Sequence, residues 1–129
     1  MRLLLDTHSW LWSLREPQRL SRRIARELDG PGNELWLSPV STWEALLLQA
    51  KGRIQVPGDL AEWLALATRN LWEAPLTHEI ALAAHRLPWS HQDPADRLLA
   101  ATAQVLGLIL VTGDVRLLGL GDIKTLANR

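Results

Sequence analysis

Acidic residues in this 129-residue chain recur at places where a strand would end or a helix would begin. Asp6 follows the apolar run Leu3-Leu4-Leu5, and Asp114 follows Leu108 to Thr112 by one glycine. Glu44 sits near the start of an apolar stretch of helical spacing, and Asp93 and Asp96 open another. Carboxylates gathered at one place repel one another, and a divalent cation relieves that repulsion. Oxygen donors without cysteine or a histidine pair at metal spacing favour Mg²⁺ or Mn²⁺ over Zn²⁺. Such an ion, held by carboxylates beside a phosphate, activates a water for phosphodiester hydrolysis.

Each acid also has a purely structural explanation. Asp6 suits the N-cap of a helix that follows it. Ser41-Thr42-Trp43-Glu44 has the form of a capping box. In Asp93-Pro94-Ala95-Asp96, Asp93 caps, Pro94 takes the first helical position, and Asp96 meets the positive end of the dipole. Asp114 suits a turn after Gly113. Singly, these readings suffice; the recurrence of the pattern argues for a shared site.

The elements that must position the acids are readable from periodicity and punctuation. Arg2 to Leu5 reads as a buried strand, and Trp10, Leu11 and Leu14 mark a helix stopped by Pro17. Ser21 caps a helix ending before Gly30. Glu34 to Ser38 reads as a second strand, and Ser41 to Ala50 as a helix stopped at Gly52. Asp59 caps a helix to about Asn70, Trp72 to Pro75 is a short third strand, and Thr77 caps a further helix. Asp93 caps a helix running to Leu106, with Gly107 as its stop. Strands over Leu108 to Thr112 and Ile123 to Leu126 complete the chain. Strands alternating with helices imply βαβ units and a mostly parallel sheet between helical layers, with the ligand site outside the carboxyl ends of the strands.

Composition narrows the possibilities. The length fits a single domain spanning residues 1–129. No apolar stretch approaches the roughly 20 residues of a membrane span, so no membrane partner is expected. Absence of cysteine agrees with a cytoplasmic location. The 14 basic and 14 acidic residues cancel, unlike a nonspecific nucleic-acid binder. A local basic patch remains available in Arg15, Arg19, Arg22, Arg23 and Arg26. All seven aromatics are tryptophan, a bias with no physical account. Trp36 and Trp43 are expected in the core, and Trp10, Trp12, Trp63 and Trp72 on helices, some of them at an interface.

The chain resembles PIN-domain proteins, specifically the VapC-type ribonuclease toxins of bacterial toxin–antitoxin pairs. The motifs are Leu3-Leu4-Leu5-Asp6-Thr7-His8 with Leu11-Trp12, Ser41-Thr42-Trp43-Glu44 with Lys51-Gly52-Arg53-Ile54, His91-Gln92-Asp93-Pro94-Ala95-Asp96-Arg97-Leu98 with its alanine-rich continuation, and Leu110-Val111-Thr112-Gly113-Asp114. The third is the most specific.

The resemblance implies a three-layer α/β/α fold with a five-stranded parallel sheet. It places Asp6, Glu44, Asp96 and Asp114 as catalytic, metal-binding acids for Mg²⁺ or Mn²⁺. Asp93 becomes a helix cap or supporting acid, and Thr112 and Thr7 orient carboxylates or water. The implied chemistry is endoribonucleolytic hydrolysis that leaves a 5′-phosphate and a 3′-hydroxyl. The implied partners are an RNA substrate, a VapB-like antitoxin and a second copy of the chain. Arg22 and Arg23 are candidate phosphate contacts. Arg97 is either a phosphate contact or a partner for a nearby carboxylate. His8 and His91 flank the acids, to touch RNA or to orient neighbours. Two alternatives stand beside this reading. One is a phosphatase-like domain with Asp6 as nucleophile, against which His8 stands where a second aspartate is wanted. The other is a noncatalytic PIN-like binding module.

Overall fold

The computed structural model describes residues 1–90 and 92–129. Five strands form one parallel sheet: β1 (Arg2–Leu5), β2 (Glu34–Leu37), β3 (Trp72–Glu73), β4 (Ile109–Thr112) and β5 (Thr125–Ala127). Their order across the sheet is β3-β2-β1-β4-β5. Among the described residues seven α-helices connect them: α1 (Thr7–Arg15), α2 (Arg22–Asp29), α3 (Pro39–Ala50), α4 (Leu60–Thr68), α5 (His78–Arg86), α6 (Pro94–Leu106) and α7 (Val115–Leu118).

Why the apolar run at the N-terminus is a strand is visible in its two faces. Leu3 and Leu5 point to one side with Val111, Trp10, Leu11 and Ile24. Leu4 points to the other with Leu110, Leu99, Ala100 and Leu117. All three leucines are buried, as a central parallel strand covered on both faces requires. Small residues at Ala100, Ala101 and Ala103 let α6 lie close to the sheet and to α5, where Ile80 and Ala84 meet Ala101.

Caps stand where the residue types placed them. The side chains of Asp6, Ser21, Asp59, Thr77 and Asp93 each accept a backbone N–H at the start of a helix. Gly107 adopts φ +67°, the left-handed conformation that ends α6.

Several expectations are corrected. Helix α3 begins at Pro39, capped by Ser38, whose Oγ accepts from Val40 N at 3.1 Å. Ser41 therefore lies inside the helix, and the capping box does not form. Proline pre-set for a first helical turn outcompetes the later serine. The last strand lies at Thr125–Ala127, two residues past its expected start at Ile123. Trp43 is 62% exposed rather than core, and Trp72 lies on edge strand β3, not on a helix, where it stacks on the part-buried Trp36. Among the described residues no helix is long and apolar enough to cross a membrane.

Candidate active site

The sheet order reverses direction at its centre. From β1 the chain steps to β2 and β3 on one side, and later to β4 and β5 on the other. Loops leaving β1 and β4 thus diverge, and the crevice between them is where ligands bind in open parallel sheets. Asp6 follows the carboxyl end of β1, and Gly113-Asp114 that of β4. Glu44 enters from the second turn of α3 and Asp96 from the first turn of α6. A cleft of about 390 Å³ results, walled by all four acids together with Asp93, Thr7, His8, Arg116 and Asn128.

Each acid is held differently. Asp6 is nearly buried, and its Oδ1 accepts from Ser9 N at 2.8 Å. Its own N–H donates to Val111 O, locking the end of β1 to β4. Thr7 donates to Glu44 Oε1 at 2.5 Å, and its oxygen lies 3.0 Å from Ser41 Oγ. A hydroxyl carries one proton. With the Thr7 proton given to the carboxylate, Ser41 supplies the one between the two hydroxyls. Asp93 Oδ1 accepts from Ala95 N and Asp96 N, so it caps α6 and steadies the turn that carries Asp96. Asp114 caps α7 through Arg116 N, and both its oxygens also meet the Arg116 side chain.

The electrostatics carry the mark of crowding. Burial pushes the Glu44 carboxyl above its ordinary value of 4.5; the Thr7 hydrogen bond opposes this, and the charges of Asp93 and Asp96 add to it. The carboxylates line the walls without closing on one point: among the described residues no three acidic or histidine side chains stand close enough to hold an ion as they are. Arg116 instead reaches among them, 2.8 Å from Asp114 Oδ2 and 3.8 Å from Asp96 Oδ2.

The expected acids are therefore brought to one cleft, as are Thr7 and Asp93. Thr112, Arg97, Arg22 and Arg23 are not among the residues that line it. Thr112 is fully buried, and its Oγ1 accepts from Asp114 N at 3.1 Å; it fixes the acid's backbone, not its carboxylate. Arg97, expected to meet a phosphate or a nearby carboxylate, does not line the cleft. Its guanidinium donates to the carbonyls of Ala84, His85, Leu87 and Trp89, which closes the C-terminal end of α5. Those last-turn carbonyls lack helical partners and attract the cation. Arg22 and Arg23 are exposed in the first turn of α2 and do not line the cleft. His8 lies on the cleft wall with its ring 5.8 Å from that of Trp12. His91 lies outside the described residues.

Two polar residues of the cleft escaped sequence reasoning. Arg116 sits two positions past the end of the last motif. Asn128 directly follows β5, so it too occupies a strand's carboxyl end, a signal hidden by placing that strand too early. Asn128 is buried; its Oδ1 accepts from Ser21 N, and its Nδ2 donates to Ser9 Oγ.

The PIN domain family profile matches residues 3–122. The chain belongs to the PIN-domain family. This PIN domain is 37% identical over 116 residues to ribonuclease VapC22 of Mycobacterium tuberculosis, covering 89% of the chain and 88% of that protein. Its fold is shared with a chain of the Rickettsia felis VapBC2 structure bound to a promoter DNA fragment, at TM-score 0.75 and 13% identity over 98% of both chains. It is likewise shared with VapBC-1 of nontypeable Haemophilus influenzae, at TM-score 0.71 and 18% identity over 98% of both. The five-stranded parallel α/β architecture of this PIN domain is thus the one these structures display.

Proposed function

We propose that this PIN domain is a divalent-metal-dependent endoribonuclease acting as the toxin of a toxin–antitoxin pair. The observation that carries the reading is the meeting of Asp6, Glu44, Asp96 and Asp114 in one cleft at the switch point of the sheet. Likeness to ribonuclease VapC22 supports the substrate class.

The donor set fits Mg²⁺ or Mn²⁺. It is all oxygen, it is carboxylate-rich, and one member is already pushed toward protonation by burial and by its acidic neighbours. Asp6, Glu44, Asp96 and Asp114 would hold the ion. Bound there, it supplies Lewis-acid stabilisation of the phosphodiester and a more acidic water. The chain's own residues do the remainder. Ser9 and Thr7 hold the Asp6 and Glu44 carboxylates in place. Asp93 presents the first turn of α6, whose N-terminal dipole favours an anionic phosphate. The basic side chains Arg22 and Arg23, exposed and outside the cleft lining, are available to the rest of the RNA backbone.

A protein partner has a surface beside the cleft. Pro39, Val40, Trp43, Leu47, Leu76 and Leu98 form an apolar groove of about 450 Å³ that shares Glu44 and Asp93 with the acidic cleft. An antitoxin seated there would cover the acids. Solved structures of the same fold that are toxin–antitoxin complexes support this occupant.

Purified chain incubated with single-stranded RNA and Mn²⁺ tests the activity. Cleavage is expected, with loss on adding a chelator and in Asp6→Asn and Asp96→Asn, both folded by circular dichroism. Metal-dependent cleavage that persists in both variants would remove the proposed site. An aspartyl-phosphate trapped on Asp6 would instead favour a phosphoryl-transfer enzyme.

A further inference from the structure

The acidic cleft has a cation built into its wall. Among the described residues that line it, Arg116 is the sole arginine or lysine. Its Nε and Nη2 meet the two oxygens of Asp114 at 3.1 and 2.8 Å, a fork-to-fork pairing that uses the whole carboxylate. The same Nη2 lies 3.8 Å from Asp96 Oδ2. Arg116 thus bridges two acids delivered by different elements, one after β4 and one on α6. Its side chain is 58% exposed, whereas Asp96 and Asp114 are at 19% and 25%. The guanidinium is thus the more solvent-exposed partner, and the two carboxylates are the more enclosed.

We propose that Arg116 is the resident counter-ion of this cleft, neutralising Asp96 and Asp114 until a divalent cation displaces its guanidinium. The inference rests on the metal-dependent reading above. Its physical basis is simple competition. Carboxylates walling one small cleft repel one another, and any cation that lessens the repulsion stabilises the set. A guanidinium that occupies both oxygens of Asp114 must yield them before an ion can coordinate there. Arg116 is accordingly a positioning residue: it occupies Asp114 and Asp96 in the absence of an ion and sets the threshold for ion entry.

Calorimetric titration of Mn²⁺ into the full chain at low salt tests this, comparing wild type, Arg116→Gln and Arg86→Gln. Arg86 ends α5, outside the acidic cleft, so its variant removes the same charge elsewhere. Arg116→Gln is expected to bind Mn²⁺ roughly two- to fivefold more tightly, the scale of an exposed ion pair, while Arg86→Gln matches wild type. The gain should shrink as salt rises. In the wild type, the Nε–H resonance of Arg116 should shift on saturation with Mg²⁺. If wild type binds Mn²⁺ and Arg116→Gln binds it no more tightly, or Arg86→Gln gains as much, the counter-ion role is overturned and the metal site stands. No Mn²⁺ uptake by the wild type at all would overturn both.

Discussion

Thr7, the first residue of α1, donates its hydroxyl proton to Glu44 Oε1, on α3 and 37 positions away in the chain. The bond ties the strand-end segment that bears Asp6 to the helix that bears Glu44. It is the kind of outer hydrogen bond that sets a ligand's orientation. Thr7→Val keeps the shape and removes the donor. RNA cleavage should fall by about 10–100-fold, with Thr7→Ser restoring most of it. Single-turnover assays at saturating Mn²⁺ check this, and equal rates for Thr7→Val and wild type would deny Thr7 its orienting part.

Glu44 makes stability depend on pH in a definite direction. Its folded-state carboxyl binds a proton more readily than the unfolded one, through burial first and the neighbouring Asp93 and Asp96 charges next. Its contribution to stability is therefore fully present below its ordinary value of 4.5 and is lost as pH rises through the elevated folded value. In chelator, the stability of wild type relative to Glu44→Gln should accordingly be lower at pH 7 than at pH 4.5. Urea denaturation of both proteins at the two pH values measures it. A difference that does not change with pH would remove the burial effect.

Arg97 is predicted to be a stability residue. Its guanidinium serves the carbonyls of Ala84, His85 and Leu87 at the end of α5, and that of Trp89 beyond it. Arg97→Ala should cost about 1–3 kcal/mol by leaving these acceptors short of donors. Arg97→Lys should recover little, because an ammonium cannot span the same fork. Denaturation midpoints give the cost, and the affinity of the folded variant for a noncleavable RNA should equal that of wild type.

Asn128 lines the cleft and holds Ser21 N and Ser9 Oγ, and Ser9 N in turn holds Asp6. Asn128→Ala strands the Ser21 N–H, at a cost of about 1–3 kcal/mol. It should also weaken Mn²⁺ binding through the loosened Ser9, which calorimetry reads separately from stability.

Trp43 is exposed on the groove next to the acids. Trp43→Asp should reduce affinity for the cognate antitoxin by about 30-fold, the scale of a tryptophan hot spot, at little cost to folding. Surface-based binding kinetics with the partner check it; unchanged affinity would move the docking surface elsewhere.

Much of this arrangement was legible in local chemistry. Proline, glycine and the capping side chains act within a few residues, so the starts of α2, α4, α5 and α6 could be placed from Ser21, Asp59, Thr77 and Asp93 alone. The unbroken apolar character of Leu3-Leu4-Leu5 and of Leu108 to Thr112 marked strands buried on both faces, and hence acids at the carboxyl ends of a parallel sheet. What the chain order alone does not contain is which side chains meet. Glu44 read locally as half of a capping box, but Pro39 starts the helix early, and Glu44 takes its proton donor from Thr7 instead. Arg97 read as a neighbour of Asp96, but it turns toward α5, whose terminal carbonyls become its partners only once α5 and α6 lie side by side. Arg116 and Asn128 acquire meaning only because β4 and β5 end at the same edge as β1. Residue types determine local geometry through short-range sterics and hydrogen bonds. Partnerships across tens of positions are decided by the docking of whole elements, which buries some polar groups together and leaves others in water.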